Sequence, residues 1–341
     1  MNMNNKNWVS VWGNAVSIAE HHPEAYAKYI TLRYPVYIPF AGDTLRFTFD
    51  NYCGSEAVTV TRATVSAATS PVYEKMPLAC PCKKETICDI TFSKNESVTM
   101  EAHQTAVSDP VSFPVKKGMT LTVSLYFADF TLMQSAVLVT GPLSKGFFSL
   151  GDQTHADALP MDTTKTTNWF YFLSNIELMT AEENHTVICY GDSITAGAWP
   201  DYLTLLARQN PDNHTAFIRR ATSGSRVLRQ YECITYDSYG LKGTNRFPHE
   251  IPTTGADTVI IQQGINDIIH PIGIETNPFR PMSDLPTVKE LIDGYRYYIE
   301  EAKKLHLKVY MGTLLPIFGW RTYATFRDDL RNELNAWIRS A

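Results

Sequence analysis

Apolar and polar positions alternate through much of the first half of the chain. Leu45, Phe47 and Phe49 are separated by polar residues, and Leu121, Val123, Leu125 and Phe127 repeat the pattern. A period of two is that of a strand with one face buried. Val58 and Val60 continue it among threonines. Turn punctuation recurs between such runs, at Ala41-Gly42-Asp43, Asp50-Asn51 and Lys117-Gly118, where glycine and Asx residues fit tight turns. Helical periodicity is confined to a short stretch near residues 14–28. Many short strands with regular turn signals predict an all-β sandwich or jelly roll. Its last strand, or the strand leading out of it, is the segment 169–179 (WFYFLSNIELM), followed by a polar, acidic linker around 180–184 (TAEEN).

The rhythm then changes. HTVICY, HTAFIRRA, DTVIIQQ and LKVYMGTLL are apolar runs of strand length from residue 185 onward, and helical patterns separate them. One helix starts near Pro200, since proline suits a first turn whose N–H has no partner. Between Thr287 and Leu305, Val288, Leu291, Ile292, Tyr295, Ile299 and Ala302 fall on one helix face, and Phe326, Leu330, Leu334, Trp337 and Ile338 mark a last amphipathic helix. Strand–helix alternation at this spacing predicts a doubly wound parallel α/β sheet. The expected division is a β-sandwich (jelly-roll-like) domain at 1–182 and an α/β domain at 183–341. There is no internal repeat or low-complexity tract.

Bulk properties narrow the partners. A net charge of −5 and a pI of about 6.0 argue against nucleic acid or an anionic membrane, both of which call for a basic face. The N-terminus lacks the basic and apolar regions of a signal peptide, and no window has the apolar length of a membrane span. We therefore expect a cytoplasmic protein. Cys80-Pro-Cys82 with Cys88 invites a zinc reading, but a fourth ligand at the usual spacing is missing. Reduced thiols fit these residues, and Cys53, Cys189 and Cys233, better. Sequons at Asn95, Asn184 and Asn213 carry meaning only with secretion.

In a doubly wound sheet, chemistry sits beyond the carboxyl ends of the strands. The first such loop is Gly191-Asp192-Ser193-Ile194-Thr195-Ala196-Gly197. A serine there presents its hydroxyl at the rim of the sheet, near backbone N–H groups that can hold an oxyanion. The G-x-S-x-G elbow is broken by Thr195, and an ordinary helix-capping serine is the competing reading. Two further loops, Thr222-Ser223-Gly224-Ser225-Arg226 and Gly264-Ile265-Asn266-Asp267, add a glycine N–H and an asparagine amide at the same edge. An acyl-transfer intermediate needs two or three convergent donors.

GDSIT, the glycine of SGSR and GIND resemble, in order, the first three sequence blocks of the SGNH (GDSL-type) hydrolases. The resemblance implies Ser193 as nucleophile and donor through its own N–H, with Gly224 and Asn266 as further oxyanion donors. It also implies a flavodoxin-like sheet of five parallel strands and no metal or organic cofactor. The β-rich half resembles the N-terminal region of some two-domain members, through its VWGNA start and YFLSNIE end. Close relatives often carry SGNR in the second block. Ser225 replaces that Asn, with little consequence expected because the donor is the neighbouring backbone.

The family's base, a histidine in a D-x-x-H motif after the fifth strand, is not found before Ala341. The α/β domain thus reads as C-terminally incomplete, without its last strand and helix, and we expect the coding sequence to continue. Asp152-Gln153-Thr154-His155 matches D-x-x-H literally but precedes the serine by a whole domain. His185, His214 and His306 each precede a strand, at the opposite edge of the sheet. His21, His22 and His103 belong to the β-rich half, and His249 is too far from a strand end to place. His270, four residues after Asn266, is the best in-chain substitute, against a solvated loop histidine as the plainer reading. The expected activity is hydrolysis of a carboxylic ester through an acyl-serine, on a small-molecule or glycan ester, with removal of an acetyl group from a carbohydrate as one form. The alternative is a non-catalytic carbohydrate-binding protein with a degenerate SGNH domain. A flavodoxin-like cofactor binder fits less well, because the first loop lacks a glycine-rich phosphate cradle.

Overall fold

The structure is a computed structural model describing residues 6–19 and 26–341. Its first half is built from antiparallel strands. Leu173–Ala181 lies between Lys6–Gly13 and Gly42–Asp50, which also pairs with Thr105–Val107 and Val111–Val115. A second sheet runs in the order Lys165–Thr167, Gly146–Leu150, Ile30–Tyr37, Thr120–Phe127, Arg62–Ala67, Cys88–Ile90. Leu45, Phe47 and Phe49 of the first sheet and Leu121, Val123 and Leu125 of the second are buried in one continuous apolar core, the side chains picked out by the period-two pattern.

Three sequence expectations need correction here. The stretch near 14–28 is not helical where it is described: Ser17–Ile18 and Tyr26–Ala27 are short strands, and 20–25, with His21 and His22, lie outside the described residues. The segment 169–179 is two strands, Trp169–Tyr171 and Leu173–Ala181, broken at Phe172, whose φ is +60°. The polar positions of Thr120–Phe127 do not face solvent, for Thr120, Thr122 and Ser124 are buried as well. The reason is Arg33, 0% exposed on the neighbouring strand. Its guanidinium donates to Ser124 Oγ and to the carbonyls of Cys80, Gln153 and Ala156, drawing two loops over the outer face of the sheet. Satisfied donors of this kind offset the cost of burying a guanidinium.

The second half forms a parallel sheet of four strands among the described residues: β1 (His185–Gly191), β2 (Thr215–Ala221), β3 (Ala256–Gln262) and β4 (Lys308–Met311), in the order β2-β1-β3-β4. The helices are α1 (Ser193–Ala196), α2 (Trp199–Arg208), α3 (Gly243–Glu250), α4 (Ile265–Ile269), α5 (Val288–Lys304) and α6 (Thr325–Ser340). Pro200 sits in the first turn of α2. Thr287 and Glu290 form a reciprocal capping box at the start of α5. The helical α3 and the short α1 and α4 are missing from the sequence reading, because segments of four to eight residues barely register a 3.6 period.

The two halves meet across β2. Arg219 and Arg220 are both buried, and their side chains leave the strand on opposite faces. Arg219 Nη2 is 2.7 Å from Asp201 Oδ1, and Nη1 donates to Ser144 Oγ at 3.0 Å; Asp201 Oδ2 in turn accepts from Leu143 N and Ser144 Oγ. Arg220 donates to the carbonyls of Asn14, Ser174 and Glu250 and to Asn175 Oδ1. Arg219→Met is expected to cost about 3–5 kcal/mol of stability, because it leaves the Asp201 carboxylate buried and unpaired. Urea unfolding of the variant against the parent chain measures it, and a loss under about 1 kcal/mol, the scale of an exposed pair, would contradict the assignment.

Candidate active site

The three sequence-selected loops lie at one edge of the parallel sheet, and hydrogen bonds tie each to the next. Strand β1 ends at Gly191, whose carbonyl accepts from Thr222 N at 3.1 Å. Asp192, not Ser193, caps α1: its Oδ1 accepts from Ile194 N at 3.0 Å. That disposes of the helix-capping reading of the serine. Ser193 is the first residue of α1 and is exposed, and among the described residues no group hydrogen-bonds its hydroxyl.

Gly224 follows β2 with φ of +81°, and a side chain there would overlap the ring of Tyr239. Asn266 lies in the first turn of α4, in a short helix and not in a plain turn, and its Nδ2 donates to Ser225 O at 3.0 Å. The next residue, Asp267, accepts from Val227 N at 2.8 Å and Leu228 N at 3.1 Å. Ser225, expected to matter little, receives Arg246 Nη1 and Gln263 Nε2 on its hydroxyl. It therefore fastens the glycine loop to α3 and to the end of β3. Arg246 is itself paired with Glu250 at 2.8 Å.

Ser193, Gly224 and Asn266 line one open cleft, together with His270 and an apolar wall that includes Ile194, Ile265 and Trp320. Among the described residues no acceptor engages the N–H of Ser193 or of Gly224. One hydrogen of the Asn266 amide is committed to Ser225 O, which holds the group in place and leaves the other. His270 is not a solvated loop residue as the plainer reading had it. It is buried at the end of α4, its ring stacks on Tyr239, and its Nδ1 has no partner among the described residues. Burial first, then the guanidinium groups of Arg280, Arg226 and Arg321, push its pKa down to about 3.

The other histidines lie elsewhere. His155 faces Asp89 at 3.0 Å, while Asp152 is paired with Arg62, so the literal D-x-x-H is a feature of the β-rich half. His185 and His214 bond Thr215 Oγ1 and Asn184 Oδ1 at the start of the parallel strands. His249, on α3, bonds Asp50 Oδ2 at 3.1 Å and stacks on Tyr52. Among the described residues no group of three or more His, Cys, Asp or Glu is arranged to hold a metal ion, the Cys80, Cys82 and Cys88 group included. Sequence reasoning missed Tyr239, which roofs Gly224, and Asp267, which joins two loops. Only the place of Asp267 beside Asn266 offered a signal.

Two buried carboxyls lie beneath the cleft. Burial pushes Asp192 up to about 7, helped by the neighbouring Asp267, which burial pushes up to about 6. Asp192 Oδ2 has no hydrogen-bond partner among the described residues. A carboxyl raised from 3.8 to about 7 on folding binds more protons in the folded than in the unfolded chain between those values. Its contribution is most favourable below that window and is lost as pH rises through it. The stability of the parent chain relative to Asp192→Asn should therefore decline from about pH 4 to about pH 7. Parallel denaturant titrations over that range test this, and a pH-independent difference would rule it out. Gly224→Ala should cost at least about 1–2 kcal/mol from its positive φ alone. Gly224→Ala combined with Tyr239→Ala, which removes the overlapping ring, should recover only part of the loss in a thermal melt.

Residues 189–341 match the model of the GDSL-like lipase/acylhydrolase family. Among solved structures the chain is similar to AlinE4, an SGNH-hydrolase family esterase, at 15% identity over 47% of this chain and 75% of that one, with a TM-score of 0.31. It is similar to the acetyl xylan esterase AlAXEase at 21% identity, covering 46% and 71% of the two chains, with a TM-score of 0.32. A putative GDSL-like lipase from Bacteroides ovatus ATCC 8483 is similar over 98% of this chain and 82% of its own, at 8% identity and a TM-score of 0.29. No curated protein matches. The chain carries a GDSL-like lipase/acylhydrolase domain at residues 189–341.

Proposed function

We propose that the protein hydrolyses a carboxylic ester through an acyl-serine intermediate, with Ser193 as nucleophile. The N–H groups of Ser193 and Gly224 and the amide of Asn266 receive the oxyanion. The observation that carries this reading is the shared cleft: an exposed, unengaged serine hydroxyl with two unengaged backbone donors and one held side-chain amide on its walls. Donors fixed before the reaction stabilise developing charge without reorganising. Here the fixing comes from the Ser225, Asn266 and Asp267 hydrogen bonds. The substrate class we infer is a small acyl group, such as acetyl, on a carbohydrate, on the family resemblance alone. We further propose a flavodoxin-like α/β domain at 183–341 behind a jelly-roll domain at 1–182. The strand orders in the two halves support that division. Six free cysteines support a reducing, cytoplasmic setting, and no helix among the described residues is long and apolar enough to cross a membrane.

The proton on Ser193 needs a base. His270 is the histidine that the described residues bring to the cleft. With a pKa near 3 it is poorly matched to general-base work at neutral pH, and no hydrogen bond joins it to Ser193 among the described residues. That observation keeps a second reading alive, a carbohydrate-binding protein whose SGNH domain does not turn over. Turnover of 4-nitrophenyl acetate by the parent chain and by Ser193→Ala separates the two. A loss of turnover in the variant is expected for a nucleophile, of a size limited by the missing base because members of one triad act as a unit. Equal rates would remove the esterase reading, and glycan binding without turnover would favour the other.

A further inference from the structure

The cleft around Ser193 adjoins a wider recess, and Tyr239 and Arg321 line both. Tyr236, Tyr323 and Phe326 give the recess aromatic walls, and Arg280 belongs to its lining. In a chain of net charge −5, neither space has an aspartate or glutamate in its lining.

Arg280 differs from the other buried arginines. Arg219 is paired with Asp201, Arg246 with Glu250 and Arg226 with Asp284, while Arg33, Arg220 and Arg327, the last of which also lines the recess, donate to backbone carbonyls. Arg280 is 6% exposed and forms no ion pair among the described residues. Its Nε donates to Tyr231 Oη at 3.2 Å, its Cζ lies 5.0 Å from the centre of the Tyr236 ring, and its buried Nη2 has no hydrogen-bond partner. The residue is fixed from behind: its own N–H donates to Asn277 O, and its carbonyl accepts from Ile272 N and Gly273 N. A buried guanidinium with neither a counter-ion nor carbonyl acceptors is costly in a protein interior. It becomes intelligible in a cleft wall whose anion arrives with a ligand. Arg321, exposed and set over Trp320, adds a second positive charge where the two spaces join. Burial is the first cause of the depressed basicity of His270, and Arg280, Arg226 and Arg321 add to it.

We propose that this recess is an anion subsite that takes a carboxylate carried on a ring-bearing part of the ester. Arg280 and Arg321 receive the carboxylate, and Tyr236 and Tyr323 flank the ring. The proposal deepens the esterase reading at Ser193 and rests on it. Guanidinium–carboxylate contacts are strong, geometrically specific hydrogen bonds, and aromatic faces favour planar groups.

The test uses matched esters differing only in charge. 4-Carboxyphenyl acetate against 4-carbamoylphenyl acetate places the carboxylate on the alcohol side. Monophenyl terephthalate against phenyl 4-carbamoylbenzoate places it on the acyl side. One carboxylate ester is expected to exceed its amide about tenfold or more in kcat/KM, and the pair that shows it identifies which side enters the recess. Arg280→Met should bring that ratio close to one, and Arg321→Ala should reduce it. Thermal melts report whether each variant folds; should Arg280→Met not fold, Arg280→Lys and the exposed Arg321→Ala carry the comparison. Ratios near one for both pairs, or a preference that survives every arginine variant, would overturn the subsite while leaving the serine chemistry intact. If instead Ser193→Ala matches the parent chain in turnover, the esterase reading fails. Calorimetry with 4-hydroxybenzoate and 4-hydroxybenzamide then decides the subsite by itself. Tighter binding of the carboxylate that is lost in the arginine variants supports it, and equal binding overturns it.

Discussion

The structure depends on how buried guanidinium groups find their acceptors. Arg219 and Arg220 stand next to each other on β2, and neither can be placed in an apolar interior without partners. Besides Asp201 and Glu250 of the parallel half, their acceptors lie in the β-rich half: Ser144 for one, and Asn14, Ser174 and Asn175 for the other. Satisfying both requires the antiparallel half and the parallel half to meet in one arrangement. Hydrogen bonds from Thr186 Oγ1 to Ser10 O and from Ser10 N to Thr254 O extend the same junction. Apolar packing contributes too, since Ala216 and Ala221 of β2 belong to the core of the β-rich half. The charged contacts are the part that tolerates no slippage.

That constraint reaches the candidate site through the chain. Strand β2 leads directly into Thr222-Ser223-Gly224, so fixing β2 fixes one wall of the cleft. The β-rich half contributes a second support, because Ser17 Oγ donates to Ser238 O beside Tyr239, the residue whose ring covers Gly224. Beneath the cleft the protein holds two carboxyls, Asp192 and Asp267, at raised pKa. Asp267 returns part of that cost by accepting two backbone N–H groups, and Asp192 by capping α1. Such unfavourable local burial beside a reactive group is the usual companion of a preorganised site.

Much of the architecture was legible in the sequence because it rests on local periodicity. The alternation at Leu45–Phe49 and Leu121–Phe127 identified core strands, and the long runs on α5 and α6 identified helix faces. The positions Ser193, Gly224 and Asn266 were also legible, since loops after parallel strands gather at one edge of the sheet whatever their side chains are. Short helices such as α3 were not, and neither was the second buried face of Thr120–Phe127, which depends on loops that Arg33 draws in from more than forty residues away.

By itself, then, the sequence determined the longer core strands and helices and the three loops that share an edge, all properties of neighbouring residues. Tertiary structure alone decided what surrounds them. His270, four residues from Asn266 and open to a solvated reading, is buried against Tyr239 within the field of three arginines. Ser225, a bland replacement on paper, holds two buried donors. Among the described residues Arg280 has neither the carboxylate that Arg219, Arg226 and Arg246 have nor the carbonyl acceptors of Arg33, Arg220 and Arg327. Burial and the choice of charged partner arise from contacts between distant segments, so no local pattern encodes them.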